Sequence, residues 1–557
     1  MPTIQLNKKR VLELSGAKLS DEKLKEKIAY LGTDLESVDS KEIVVEIFPN
    51  RPDMLSEEGF SRALSSFLEN KTGLKKYSVK KSNCVVNIKK EVKQVRPFTA
   101  CAVIKGLKIN KEKLNDIIEI QEKLHITYGR NRKKCAIGIY PMEAIKFPIE
   151  YTAKKPEDIN FIPLGRTKPM NGKQILKEHE KGKEYAHLLI GQKKYPVFID
   201  ANNEILSVPP IINSEKTGKI TGKTTDVFVE CSGFEFNVLE KAINMIATAL
   251  SDMGGKIYSV TLNFEDKKSK ITPNLEPEKI IFDKKYVEKN IGKEFTDKEI
   301  TSSLQKMGYN VKITKNKIEA HIPAYRSDIL HPIDVVEDIM IGYGYNKLEG
   351  NNTRVYSTGK ESYTEKIKRK IREILAGAGL LEANSLSLMS EENQKRILEL
   401  KSVVKIANAS TTEYNSLRNK IILSLLQTLK NNKQYEYPQE FFEIGTVFTE
   451  SIKETKVTES NSLAVVSCGD AINFTKARQY LDLVMSSINQ DYEVEKAENP
   501  VFLKGRSGKI IWKNKTIGYI GELNPKALNV FSIEMPASGF EIDVDHIITQ
   551  LKKESEE

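Results

Sequence analysis

The stretch from Pro332 to Gly344 constrains this chain more tightly than any other. Pro332 suits the first turn of a helix, where its missing N–H is not needed, and Gly342 and Gly344 suit the exit. At about 100° per residue, Asp334, Glu337 and Asp338 share one face. Ile333, Val335, Val336, Ile339 and Met340 take the opposite side and are expected to pack inward. Asp328 lies just upstream, where a loop can carry it to the acidic face. Carboxylates that converge repel one another unless a hard cation sits between them. Mg²⁺ accepts such oxygens and leaves positions for water or a partner's groups. Acids in a first turn also complement the helix macrodipole, so spacing alone favours a plain acidic surface over a metal site.

The other segments are punctuated as clearly. In Phe48–Ser56 two prolines and an asparagine set a turn, and Ser56 is placed to cap the helix that follows. Phe60, Ala63, Leu64, Phe67 and Leu68 then recur at helical spacing. Lysine-rich sequence at Lys71–Ser82 reads as a linker. From Cys84 to Asp266, short β-rich runs such as Tyr195–Ile199, Ile205–Val208 and Val227–Val229 alternate with helical patterns at Lys113–His125 and Leu239–Met253. Thr296 and Glu299 form a capping box, and the strands Tyr309–Ile313 and Lys317–Ile322 flank a Lys-Asn turn. Helices followed by strand candidates, among them Phe441–Phe448 and Ser538–Ile542, fill the remainder, and the charged tail Lys552–Glu557 is expected to fray.

These patterns predict an α+β multidomain chain divided as 1–80, 83–268, 272–347 and 358–557. That is consistent with 557 residues at about 150 per domain. No apolar run approaches the ~20 residues that span a bilayer, and the N-terminus lacks a signal-peptide core. The five cysteines are scattered without zinc-type spacing and read as reduced thiols, so a cytoplasmic location is expected. A net charge of +11 is compatible with a polyanionic partner, but lysines are spread along the whole chain and no block carries the excess.

Several motifs, taken in order, carry a resemblance. They are Pro49–Asp53 with Leu55-Ser56; Tyr195–Val197 and Leu206–Asn213; Arg326–Asp328 with Asp334, Glu337-Asp338 and Gly342–Tyr345; and Glu413, Leu417-Arg418 and Phe441–Phe448. Together they resemble the beta subunits of phenylalanyl-tRNA synthetases of the archaeal and eukaryotic type, over essentially the whole chain. The resemblance implies an N-terminal α/β domain, an editing domain, a small winged-helix-like domain and a class II synthetase-like antiparallel-sheet domain. It implies an alpha-subunit partner in an alpha-two beta-two tetramer, tRNA(Phe) as the RNA bound, and ATP used by the alpha subunit. It also implies Mg²⁺ held by Asp328, Asp334, Glu337 and Asp338 at the contact with the alpha subunit.

A class II site holds ATP phosphates with one arginine after its second motif strand and another in its last motif. Here Thr449 follows the candidate strand, and the last arginine of the chain is Arg506. The synthetase-like domain is therefore expected not to ligate. The resemblance places an editing pocket at Ser207, Asn213, Glu230 and Ser232, with Pro209-Pro210 shaping its loop, to hydrolyse mischarged tyrosyl-tRNA. Without it, Ser207 and Asn213 read as turn residues and Glu230 as a solvated strand-end acid. His125, His179 and His187 read as surface histidines. The competing readings are a non-editing RNA-binding scaffold and a winged-helix regulator built on Thr272–Lys347.

Overall fold

The computed structural model describes residues 2–266, 268–350, 352 and 357–556. They gather into two compact units, Met1–Asn352 and Thr353–Glu557. The architecture is α+β with several sheets.

The first unit opens on a three-stranded antiparallel sheet with Glu42–Glu46 between Thr3–Asn7 and Asp34–Val38. Ser56 Oγ accepts the Gly59 N–H at 3.0 Å and so starts the helix Glu57–Phe67, as its placement predicts. A Cβ on Gly59 would lie 2.0 Å from the Asp53 carbonyl oxygen, so the proline-rich turn can fold over the helix only because no side chain stands there.

Two larger sheets follow. The five-stranded one runs Val79–Lys80, Lys256–Tyr258, Phe98–Lys105, Val227–Gly233, Cys135–Pro141. The seven-stranded one runs Ile212–Asn213, Ile205–Val208, Tyr195–Ile199, Ile149–Lys154, Val85–Ile88, Val260–Phe264, Ser269–Thr272. Strand alternation assigns each residue of the five-stranded sheet to one of two cores. Ala100, Ala102, Val229 and Cys231 pack with the helix Phe236–Asp252. Cys101, Val103, Tyr140 and Phe228 face the second sheet's Tyr151, Phe198 and Val208. Glu230 has the parity of Phe228, so it points into the space between the sheets.

A small three-stranded sheet, with Lys317–Ile322 between Glu278–Asp283 and Asn310–Thr314, completes this unit. The capping box at Thr296 and Glu299 starts the helix Asp297–Lys306, and Lys315 and Asn316 both take positive φ in the turn between the last two strands. The helix Pro332–Tyr343 packs on it through Val335, Val336 and Ile339. Two residues of that helix depart from the expected faces: Ile333 is 40% exposed, whereas Asp338 is 4% exposed. The buried Arg326 guanidinium draws Asp338 inward, and Ile333 turns out at the first turn.

The second unit is built on a seven-stranded sheet: Leu381–Glu382, Gln439–Glu450, Val457–Cys468, Ala537–Asp543, Lys515–Leu523, Phe502–Trp512, Glu493–Lys496. All its pairings are antiparallel except that of Leu381–Glu382. Phe442, Leu463 and Val465 pack on one face with the helices Tyr363–Gly377 and Phe474–Ser487. Phe441, Ala464 and Val466 pack on the other with Ile421–Asn431. The sequence predicts fraying over Lys552–Glu557; Glu557 lies outside the described residues, and the part before it is helical. It continues the helix Val544–Glu556, which Ile547, Ile548 and Leu551 anchor in the core.

Candidate functional site

A cavity of about 460 Å³ lies in the first unit, and Ser207, Asn213 and Glu230 all line it. Ser207 and Asn213 are direct partners across the antiparallel pair Ile205–Val208 and Ile212–Asn213. Pro209 and Pro210, joined by a cis peptide, turn the chain between these strands and form part of the wall. Glu230 enters from the facing sheet. Its ladder partner is Gly138, where a Cβ would stand 2.7 Å from Glu230 Oε1 and 2.3 Å from the Tyr140 hydroxyl. That glycine leaves room for both polar groups.

Tyr140 joins the three residues. Its buried hydroxyl lies 2.7 Å from Ser207 Oγ, 3.2 Å from Glu230 Oε1 and 3.5 Å from Asn213 Oδ1, and can donate to each in turn. Glu230 Oε2 is buried with no hydrogen-bond partner among the described residues. Burial raises the Glu230 carboxyl to about 8, although the Tyr140 hydroxyl, the Arg96 charge and the Ser232 side chain pull it down. At neutral pH the group is therefore mostly an uncharged acid, able to donate and accept. The reading of Glu230 as a solvated strand-end acid does not hold.

Ser232 does not line the cavity. It lies fully buried behind Glu230, where its Oγ accepts the Arg96 Nε–H at 3.2 Å and its carbonyl accepts from Arg96 Nη2 at 2.5 Å. Burial lowers the Arg96 pKa.

The lining also holds Arg132, Glu122 and His125, for which the sequence suggested no role in the site. Arg132 Nη1 donates to the carbonyls of Pro210 at 3.2 Å and Ile211 at 2.9 Å, and Nη2 donates to Glu122 at 2.9 Å. His125 is 2% exposed, contrary to the surface reading. Its Nε2 accepts the Ile137 N–H at 2.8 Å, so Nδ1 bears the proton facing Glu122 at 3.2 Å. Burial lowers the His125 pKa. Against the upward push of burial, His125 and Arg132 hold the Glu122 carboxyl down at about 2. His179 is also buried, and its Nδ1 accepts the Lys181 N–H at a helix start. His187 is exposed, as expected.

The four acids of the second expected site lie within electrostatic reach of one another. Arg326 clamps Asp328 through Nε at 2.8 Å and Nη2 at 2.7 Å, and Nη2 also donates to Asp338 at 2.8 Å. Asp338 accepts the Tyr309 hydroxyl as well, at 2.5 Å. Asp334 Oδ2 accepts the N–H groups of Leu330 and His331, closing a capping box with His331. Glu337 stands more exposed, its pKa raised by partial burial and by Asp338, Asp334 and Asp328. Among the described residues no group of three or more His, Cys, Asp or Glu side chains is arranged to hold a metal ion. The donor set nonetheless suits a hard cation in its chemistry: four carboxylates outnumber the one guanidinium among them.

The described cysteines are all unpaired, and among the described residues no helix is long and apolar enough to cross a membrane. Residues 280–345 match the family model described as the tRNA synthetase B5 domain. Residues 353–544 match the model for the phenylalanyl tRNA synthetase beta chain CLM domain. Matches on two separate segments define the class, that of aminoacyl-tRNA synthetase subunits. The chain is 37% identical to the phenylalanine–tRNA ligase beta subunit of Pyrococcus horikoshii, over 97% of this chain and 99% of that one. It is 36% identical to the Thermococcus kodakarensis beta subunit, over 99% and 100%. A crystal structure of an N-terminal fragment of the phenylalanyl-tRNA synthetase beta subunit from Pyrococcus horikoshii superposes with a TM-score of 0.59 at 37% identity, covering 62% of this chain and all of that one. The chain belongs to the phenylalanine–tRNA ligase beta-subunit family.

Proposed function

We propose that this chain works as the proofreading and structural partner of a catalytic alpha subunit: it supports ATP-dependent attachment of phenylalanine to tRNA(Phe) and hydrolyses tyrosyl-tRNA in the cavity around Glu230. The observation that carries the second half is the unpartnered Glu230 Oε2, buried in a cavity that also presents Ser207 and Asn213. Tyrosine exceeds phenylalanine by one hydroxyl, and an apolar pocket rejects an added hydroxyl only about 10²-fold. A site whose buried carboxyl needs a partner selects for that hydroxyl instead. Ser207 and Asn213 are placed to orient the ester or an attacking water, and Arg132 holds the Pro210 and Ile211 carbonyls behind them. Ser232 acts from behind, as an anchor for Arg96.

Ligation belongs to the alpha subunit in this reading. Thr449 ends the region where a phosphate-binding arginine would stand, and Arg418 is committed to a buried pair with Glu443 at 2.6 Å. The second unit thus serves as a class II-like structural double, and the small sheet with its helices as the winged-helix-like module of a four-domain chain in an alpha-two beta-two tetramer. Mg²⁺ would be held by Asp328, Asp334, Glu337 and Asp338, where it would neutralise charge that Arg326 leaves over.

The test is to assay the chain with and without its alpha subunit. Aminoacylation should require both chains, and Glu230→Ala should abolish hydrolysis of tyrosyl-tRNA while leaving aminoacylation intact. Hydrolysis unchanged in Glu230→Ala would reduce the chain to a non-editing RNA-binding scaffold. Metal content of the complex that is unchanged by Asp334→Asn with Glu337→Gln would remove the Mg²⁺ assignment.

A further inference from the structure

A second cavity in the first unit, of about 390 Å³, shares no lining residue with the one around Glu230. One wall is a face of the helix Glu57–Phe67, where Glu58, Ser61 and Ser65 recur at spacings of three and four. These side chains belong to residues 3%, 1% and 3% exposed. Glu58 Oε2, Ser61 Oγ and Ser65 Oγ have no hydrogen-bond partner among the described residues, although Arg10 holds the other Glu58 oxygen. The remaining lining brings charge of both signs. Arg62 and Lys75 both pair with Asp252, each at 2.7 Å, Arg51 pairs with Asp53 at 2.9 Å, and Lys71 stands exposed.

A stranded buried polar group destabilises a fold, and an alanine at either serine would avoid that cost. Three such oxygens on one helix face, all on residues that line one cavity, mark a place where something else completes the hydrogen bonding. We infer that this cavity binds a small zwitterion bearing a protonated amine and a carboxylate, as a free α-amino acid does. The ammonium lies among Glu58, Ser61 and Ser65, and the carboxylate lies toward Lys71 and the positive charge left over where Arg62 and Lys75 share Asp252. An ammonium has three donors and no acceptor, which answers three oxygens able to accept. A simple anion would meet the cations but would face the Glu58 carboxyl, and it would fill little of the space. A neutral polyol would leave the cationic side unanswered. The site is independent of the tyrosyl-ester reading, since it uses none of those residues.

The experiment is calorimetric titration of the full-length chain with free L-amino acids one at a time. Acetate, methylamine and inorganic phosphate serve as partial probes. At least one amino acid should bind, and each partial probe should bind at least about tenfold more weakly. Ser61→Ala with Ser65→Ala should weaken that binding by about tenfold or more while the thermal midpoint of the unliganded chain holds or rises. Glu58→Gln should weaken it as well without loss of fold. The inference is overturned if no amino acid binds, if phosphate alone binds as tightly, or if the double variant binds normally. A fall in the double variant's midpoint would also overturn it, because the hydroxyls would then be partnered within the fold.

Discussion

Replacing Glu230 with glutamine keeps the shape of the side chain and removes its titration. Burial raises the folded carboxyl from 4.5 to about 8, so between those values the unfolded chain releases a proton that the folded chain keeps. For an acid shifted upward, the fold carries no penalty below the unfolded value; the penalty then grows with pH and is complete above the folded value. At about 1.36 kcal/mol per pH unit, the burden reaches roughly 3 kcal/mol near pH 7 and at most about 5 kcal/mol above pH 8. Glutamine has none of it. Scanning calorimetry of wild type and Glu230→Gln from about pH 4.5 to 8.5 should show midpoints that nearly coincide at the acid end. They should diverge steadily toward the basic end, with the variant higher by several degrees. The same variant should lose tyrosyl-tRNA hydrolysis, so stability and activity would move in opposite directions. A midpoint difference that stays constant with pH, or a variant that is weaker at the basic end, would refute the burial argument.

Arg326→Met leaves Asp328 and Asp338 without their shared cation, and should destabilise the first unit by about 3–5 kcal/mol; a thermal melt checks this. Gly138→Ala sets a Cβ 2.3 Å from the Tyr140 hydroxyl, so tyrosyl-tRNA hydrolysis should fall at least about tenfold while aminoacylation by the complex is unchanged. Arg132→Met releases the Pro210 and Ile211 carbonyls. It should lower hydrolysis about 10²-fold through misplacement, with Arg132→Lys giving only partial recovery because lysine lacks the planar fork.

Local rules carried most of the elements. The cap at Ser56, the capping box at Thr296 and the start at Pro332 stand where residue type alone places them, because each depends on backbone groups within a few positions. Ser207, Asn213 and Glu230 were legible through motif resemblance. That resemblance also grouped them, whereas nothing in their spacing shows the convergence, since it joins two sheets. Tyr140 was invisible for a different reason: every residue of Cys135–Pro141 is buried, so no alternation distinguishes the one whose hydroxyl meets Ser207, Asn213 and Glu230. His125 misled because its partner, the Ile137 N–H, comes from another element. Asp338 shows the limit of a helical wheel, since a buried arginine twelve positions away decides which way that acid turns.

Under the proposed editing role, the position of the Tyr140 hydroxyl sets how this cavity would discriminate. One oxygen of Glu230 is already answered by a phenol of the chain itself, 3.2 Å away, so an arriving phenylalanine takes nothing from it. The other oxygen is unanswered before any substrate comes. A phenylalanyl ester would leave the pocket as it stands, and a tyrosyl ester would mend it. Selection in the proposed site would work by relief of a standing defect, with the internal phenol as the pattern that the substrate's own phenol repeats.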